Sequence, residues 1–296
     1  MTAERPLTTT RPVRRTSAVG RVIGLVVAVI FTPVGLWALL VGGADVYRTA
    51  TRNGGLDGIG ILLAIVGMAL LLAVVQTSRL SSLGLGILSG VITLAGLVAI
   101  VWPFGAGEAV RFLGGLSPDL AYGAGRWMSF GLAVALGLVL WGTAVAARIA
   151  RRSTEVSSAS ALRGVLSIVF AVVGAASGLG LLWGGGSLVD RAAQTHGTSA
   201  LGVVFVILGG LLLEGAALTA VISSAGIFVV GALLFIVGML ALVFEGIARV
   251  LGDVVGFIGV RTADAAYIAY EFGFVAALGA VLLATAIVVR RNRRSR

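Results

Sequence analysis

The sequence predicts an all-α integral membrane protein with eight transmembrane helices, arranged as two tandem four-helix repeats of parallel orientation. Composition is the first observation behind this prediction, and eight apolar runs and an internal repeat are the others. Hydrophobic residues make up 58% of the 296 residues, charged residues only 11%, and the mean hydropathy is +1.09. Soluble domains carry about a quarter charged residues. This chain therefore has too few charges to cover a water-exposed surface.

Eight apolar runs are long enough to cross a bilayer, which takes about 20 helical residues. Their length and uniform apolar character favour helices over barrel strands, which are shorter and alternate apolar with polar residues. The runs extend over 18–43, 58–77, 83–104, 128–148, 162–186, 199–222, 226–247 and 272–290.

An internal repeat relates the two halves of the chain. The stretch 81–84 (SSLG) matches 223–226 (SSAG), at an offset of 142 residues, and the Arg-rich stretch 148–153 falls on 290–295 at the same offset. The first and fifth runs align at an offset of 143. Since each unit has an even number of helices, both insert the same way round, which predicts a pseudo-twofold axis along the membrane normal.

The segments outside the runs complete the predicted organisation. A tail without apolar periodicity is expected to be disordered. The predicted parts are a disordered basic cytoplasmic tail over 1–17, a first four-helix repeat over 18–148, a cytoplasmic linker over 149–161, a second four-helix repeat over 162–290 and a basic cytoplasmic tail over 291–296.

Arginine predicts the orientation, because basic residues are enriched on the cytoplasmic side. All 22 basic residues are Arg, and 15 of them flank the runs on the side of the two termini. The absence of Lys and the 44 Gly residues are typical of GC-rich bacterial coding sequences. We therefore expect a multi-pass protein of a bacterial plasma membrane with both termini cytoplasmic.

Residue types that are missing from the sequence exclude several chemistries. Without Cys there is no disulfide or thiolate metal site, and a single His excludes a multi-histidine site. Without Lys there is no P-loop. The net charge of +10 comes from arginines at the ends of the predicted spans, where they favour the cytoplasmic side, so it does not indicate nucleic-acid binding. The sequence thus predicts no enzyme, no cofactor, no metal and no nucleic-acid partner.

Glu214 is the one acidic residue in the middle of a predicted span. A carboxylate in hydrocarbon must be protonated, paired or directed to a wet cavity. It is therefore a candidate proton or cation site, with a structural hydrogen bond to a neighbouring helix as the alternative. The repeat places Leu72 at the corresponding position, so the first half lacks this acid.

Weaker candidates lie at the predicted outer face, namely Asp45, Arg48, Asp190, Arg191 and Glu245. The first four follow Gly-Gly pairs, a pattern that fits either solvated helix termini or an outer vestibule. Glu245 precedes Arg249 by four residues, which favours a structural ion pair.

Two outer loops, 105–127 and 248–271, combine Gly, aromatic and acidic residues. Their spacing predicts short amphipathic segments at the outer interface, whose aromatic side chains anchor the membrane surface rather than form a ligand cage. His196 lies in another outer loop and is expected to be solvated.

These features favour a non-enzymatic accessory, scaffold or assembly protein, which acts through its helix faces and outer loops on the lipid bilayer and on another membrane protein. The alternative is a small transporter or channel for a hydrophobic or lipid-like substrate, with Glu214 as its proton or cation site. A third hypothesis is a sensor of envelope stress. The sequence leaves the oligomeric state open.

Overall fold

The computed structural model describes residues 18–53, 55–152, 161–195, 197–257 and 260–294, and these ranges contain helices and no strand. The predicted tail 1–17, residues 153–160 of the linker and His196 lie outside them. The helices are α1 (Ala18–Asn53), α2 (Gly58–Thr77), α3 (Leu83–Val101), α4 (Pro103–Leu116), α5 (Pro118–Ser129), α6 (Leu132–Arg152), α7 (Ala161–Gln194), α8 (Ala200–Leu218), α9 (Ser224–Val243), α10 (Glu245–Gly256), α11 (Val260–Glu271) and α12 (Phe274–Arg294).

Eight of these helices are long and apolar enough to cross a membrane, which confirms the predicted number. They are α1, α2, α3, α6, α7, α8, α9 and α12. The predicted ends of the first and fifth spans, at 43 and 186, are wrong as helix ends, because α1 and α7 continue to Asn53 and Gln194. The apolar run marks only the part of a helix that suits hydrocarbon. Beyond residue 43, α1 contacts α5 through Tyr47 and Arg48, and α7 packs on α11.

The two predicted interfacial segments fold as four short helices, α4, α5, α10 and α11, which we call the short-helix end of the bundle. Pro103 and Pro118 occupy first-turn positions, where the missing N–H costs no hydrogen bond. The Ser117 hydroxyl caps α5 by accepting a hydrogen bond from the Leu120 main-chain N–H at 3.3 Å. Helix α4 buries none of its residues, whereas α5 buries Leu120 and Trp127 in the bundle.

The core of the bundle lies around α6 and α12. Helix α6 packs on α3, α8 and α12, and helix α12 packs on α9, α2 and α6. Where α6 meets α12, the hydroxyls of the fully buried Thr143 and Thr285 are 2.8 Å apart, at hydrogen-bond distance. The other six spans surround this pair and present large apolar side chains to the outside.

Several contacts recur in the two halves of the chain. Helix α1 packs on α2 as α7 packs on α8, and α5 packs on α1 as α11 packs on α7. A methyl group on Gly43 of α1 would lie 2.8 Å from the main-chain oxygen of Phe272, and one on Gly186 of α7 would lie 2.7 Å from that of Phe130. The first helix of each half thus contacts the turn before the last helix of the other half.

The turns that start α6 and α12 share one backbone conformation. Gly131 and Gly273 both have φ of +68°, the left-handed region that glycine adopts without a steric cost.

At the opposite end of the bundle, in each half, an arginine side chain donates a hydrogen bond to a main-chain carbonyl at the C-terminal end of a helix. The Arg151 guanidinium donates to the Ser78 carbonyl, and the Arg293 guanidinium donates to the Val221 carbonyl. Such bonds suit the negative end of the helix dipole.

Candidate functional site

Glu214 lies on α8, within the sixth span, and its side chain is half-buried against α6. A methyl group on Gly142 of α6 would lie 2.8 Å from the Glu214 Cγ and 3.0 Å from its main-chain oxygen. The bare Gly142 backbone therefore lets α8 approach α6 closely and leaves room for the acidic side chain beside it.

The Glu214 side chain borders a groove of about 250 Å³, which we call the α3–α8 groove. Helix α6 forms its floor, and α3 and α8 form its walls, since both pack on α6. The lining residues are Gly90, Thr93, Leu94, Leu97, Leu138, Trp141 and Glu214. Leu94 is 63% exposed and Trp141 46% exposed, so the groove opens to the outside of the bundle.

Glu214 is the acidic group of this otherwise mostly apolar groove. Within the described parts of the chain, its carboxylate takes part in no hydrogen bond and no ion pair. The Thr93 hydroxyl on the opposite wall donates to the Ser89 carbonyl at 2.8 Å, so its proton is already used. Glu214 thus lines the groove, and its carboxyl group has no partner among the described residues.

Two glycines of α3 have no close neighbour inside the bundle. Positions for a Cβ on Gly86 and Gly90 have no atom within 4 Å, whereas one on Gly84 would lie 2.6 Å from the Gly24 carbonyl oxygen. Gly86 and Gly90 form a small-xxx-small pair, the type of pair that lets a second helix approach. This pair is therefore open to contact from outside the bundle.

Three of the outer candidates, Arg48, Glu245 and Asp190, have local polar contacts. Arg48 forms an ion pair with Asp119 of α5, and Glu245 forms one with Arg249 at 2.5 Å. Asp190 accepts a hydrogen bond from Gln194 at 2.9 Å.

The solvated-terminus interpretation is wrong for Asp45 and Arg48, which lie inside α1, before its last turn. Arg191, in contrast, is exposed in the last turn of α7, as that interpretation expects, and Asp190 precedes it directly. Asp45 is half-buried, with its Cβ against Gly60 of α2.

A second cluster, which the sequence did not indicate, lies at the short-helix end. It consists of Tyr47, Tyr122, Tyr267, Glu271 and Phe272, and we call it the junction cluster. The ring of Tyr47 lies 5.9 Å from that of Tyr122, 6.2 Å from Tyr267 and 5.3 Å from Phe272, between centroids. These rings pack on one another and join α1 and α5 to α11.

Glu271 is the buried acid of the junction cluster. Its side chain is 1% exposed, and neither carboxyl oxygen has a hydrogen-bond partner among the described residues. Burial, and to a smaller extent the negative charge of Glu245, outweigh the opposing effect of Arg249 and raise the pKa of this carboxyl to about 8. Glu271 therefore favours its neutral, protonated form at neutral pH.

The aromatic residues of the two outer segments divide between surface and core. Phe112 and Phe257 are 73% and 93% exposed, as expected of membrane-surface anchors. The expectation is wrong for Trp127 and Tyr270, which are buried. Trp127 packs edge-on against Phe274 at 5.4 Å, because α5 is inserted into the bundle instead of lying on the membrane surface.

In the part of the chain that the structure describes, no group of three or more His, Asp or Glu side chains is placed to hold a metal ion. The structure therefore has two candidate sites. One is the mostly apolar α3–α8 groove with its single acid, Glu214, and the other is the buried acid Glu271 at the short-helix end. Comparison of the chain with protein-family models, with curated proteins and with solved structures gave no match.

Proposed function

We propose that the protein is a non-enzymatic accessory protein of the membrane, which binds a transmembrane helix of another protein in the α3–α8 groove. The observation that carries this proposal is the Glu214 carboxyl group, which borders an open groove between membrane spans and has no partner among the described residues.

An acid at this depth favours an occupant that carries a hydrogen-bond donor. Transfer of an unpartnered polar group into hydrocarbon costs several kcal/mol, and lipid tails offer nothing to offset it. A hydroxyl, amide or cationic side chain on a partner helix supplies the missing bond. Polar side chains join membrane helices in this way, each bond contributing about 1–2 kcal/mol in model peptides.

The shape of the groove suits a helix. The walls, α3 and α8, both pack on a common floor, α6, and all three helices are long and apolar enough to span a membrane. Gly86 and Gly90 lie on the α3 side with open space at their Cβ positions. A partner helix can approach the α3 backbone there, because contact between helix backbones depends on small residues.

We infer further that the chain consists of two tandem four-helix repeats in parallel orientation. The recurring helix contacts and the matched turns at Gly131 and Gly273 support this arrangement. The groove then breaks the symmetry, because Leu72 and Phe235 stand 142 residues from Glu214 and Thr93. The arginine distribution supports cytoplasmic termini in a bacterial plasma membrane.

The second candidate is a transporter for a hydrophobic or lipid-like substrate, with Glu214 as its proton or cation site. The opening of the groove on the outside of the bundle favours it, because such a substrate arrives through the lipid. Transporter sites, however, commonly lie at the interface between repeats. Here α6 and α12 close that interface through the buried pair of Thr143 and Thr285.

Glu214→Leu tests the proposal, because it replaces the hydrogen-bond acceptor by an apolar side chain. We expect the variant to retain about a tenth of the partner protein that co-purifies with wild type from native membranes, since a hydrogen bond of about 1–2 kcal/mol corresponds to roughly tenfold in affinity. Glu214→Gln keeps an acceptor and is expected to retain more. Mass spectrometry of the purified complex measures both.

Glu108→Gln is the matched control, because Glu108 is an exposed acid paired with Arg111 at 3.0 Å, away from the groove. It is expected to keep the partner fully. Undiminished partner in Glu214→Leu contradicts docking at the groove. A wild-type preparation that carries a hydrophobic small molecule and no protein partner favours the transporter instead.

A further inference from the structure

The junction cluster joins the two halves of the chain at the short-helix end. Helix α11 ends at Glu271, and the next residue, Phe272, has its main chain against Gly43 of α1. The Phe272 ring also contacts the Tyr47 ring, at 5.3 Å between centroids. A movement of α11 away from α1 therefore separates these groups beside Glu271.

The surroundings of Glu271 do not compensate a negative charge. Charged and titratable groups that act on it are Glu245 and Arg249 from α10, Tyr47 from α1 and Tyr267 from α11 itself. Arg249 is already paired with Glu245, at 2.5 Å. From α7, the residue that packs beside the end of α11 is Trp183, which contacts Tyr270 and does not titrate. From α5, the Arg126 guanidinium lies over the Tyr122 ring, 5.4 Å from its centroid, and does not act on Glu271. Within the described residues, α7, α9 and α12 add no charge that acts on Glu271.

We propose that Glu271 is a proton-binding site, and that the bound proton holds α11 against α1 at the short-helix end. This inference goes beyond the α3–α8 groove and is independent of what binds there. When the proton leaves, the buried carboxylate has no partner, and the junction opens to hydrate it. The ligand is a proton from the aqueous phase at that end of the bundle.

The direction of the pH effect follows from the pKa of the Glu271 carboxyl. In the closed junction this pKa is about 8, and in water its ordinary value is 4.5. Below the ordinary value both states hold the proton, and the closed state has its full stability. As the pH rises from there, only the open state ionises, so the closed state loses stability until the pH passes the raised pKa.

Infrared spectroscopy of the full chain in lipid nanodiscs tests proton binding directly. A protonated carboxyl has a C=O stretch that a carboxylate lacks. We expect a band from Glu271 that disappears in a titration from about pH 5 to about pH 10. Its midpoint should lie well above the ordinary value of 4.5 and no higher than about 8, because opening of the junction favours the carboxylate. The band should be missing in Glu271→Gln and kept in Glu108→Gln.

A second variant keeps the test valid if Glu271→Gln does not fold. Glu245→Gln retains Glu271, removes the charge that raises its pKa and frees Arg249, which lowers it. The midpoint of the band is therefore expected to move to lower pH. A Glu271 band that is already lost near pH 5, or one whose loss depends on sodium concentration at fixed pH, overturns the proposal.

Opening of the junction is measured with two spin labels. The chain has no cysteine, so Thr51→Cys on α1 and Asp253→Cys on α10 introduce the two labelling sites. We expect the distance between the labels to be longer above about pH 8 than at about pH 6 in wild type, and constant in Glu271→Gln. A wild-type distance that stays constant across this range shows that the proton does not hold the junction, and contradicts the proposal.

Discussion

Gly131→Ala is expected to lower the free energy of unfolding by about 2–5 kcal/mol, because two penalties fall on one residue. The first is conformational, since φ of +68° costs a residue with a Cβ about 1–2 kcal/mol. The second is steric, since the new methyl group would lie 2.5 Å from Cγ1 of Val206 on α8, and overpacking of this kind costs about 1–3 kcal/mol. Equilibrium unfolding in a denaturing detergent, followed by circular dichroism, measures the loss.

Gly273→Ala is the matched control, because Gly273 has the same φ in the corresponding turn. The nearest atom to its Cβ position is Cδ1 of Leu39 at 3.4 Å, an ordinary contact. Only the conformational penalty of about 1–2 kcal/mol is therefore expected. Equal losses in the two variants would show that the Val206 contact does not matter and that α8 can move aside.

Gly43→Val is expected to destabilise the protein by about 3 kcal/mol, at the upper end of the usual overpacking range. Its Cβ would lie 2.8 Å from both Cα and O of Phe272, and a main chain at the start of a packed helix cannot turn away as a side chain can. Because Phe272 follows Glu271, the variant also opens the junction cluster. Thermal unfolding in detergent measures the first effect, and the infrared band of Glu271 measures the second.

Gly180→Ala on α7 is the control for Gly43→Val. Its Cβ position has no atom within 4 Å, so nothing must move. Alanine is about 1 kcal/mol more favourable than glycine inside a helix, and stability is expected to stay the same or rise. If Gly43→Val unfolds like wild type and leaves the Glu271 band unchanged, then α1 does not contact Phe272 closely in the membrane.

The number of spans could be predicted from the sequence, because each apolar run reflects a local requirement of hydrocarbon. The range 58–77 of the second run coincides with α2. The ends of α1 and α7 could not be predicted in the same way. Their last turns carry charges, Arg52 in α1 and Arg191 in α7, and these helices pack on α5 and α11. That packing joins distant parts of the chain, so a local sequence pattern does not reveal it.

Glu214 could be singled out from the sequence, because an acid among apolar neighbours is conspicuous on its own. Its groove could not, since the walls come from α3 and α8, which are separated by a hundred residues or so of chain. Glu271 could not be singled out either. Nothing in its local sequence tells a buried acid from a solvated one, because its burial depends on the distant helices that pack around α11.

Photo-crosslinking from the α3–α8 groove in native membranes tests the central claim most directly. A photo-reactive amino acid at Leu94 lies on the groove, and one at Ile236, 142 residues later, lies on an exposed face of α9 outside it. We predict that the probe at Leu94 captures one protein partner, that Glu214→Leu abolishes this product, and that the probe at Ile236 captures lipid alone. A probe at Leu94 that captures only lipid would contradict the docking of a partner helix in the groove.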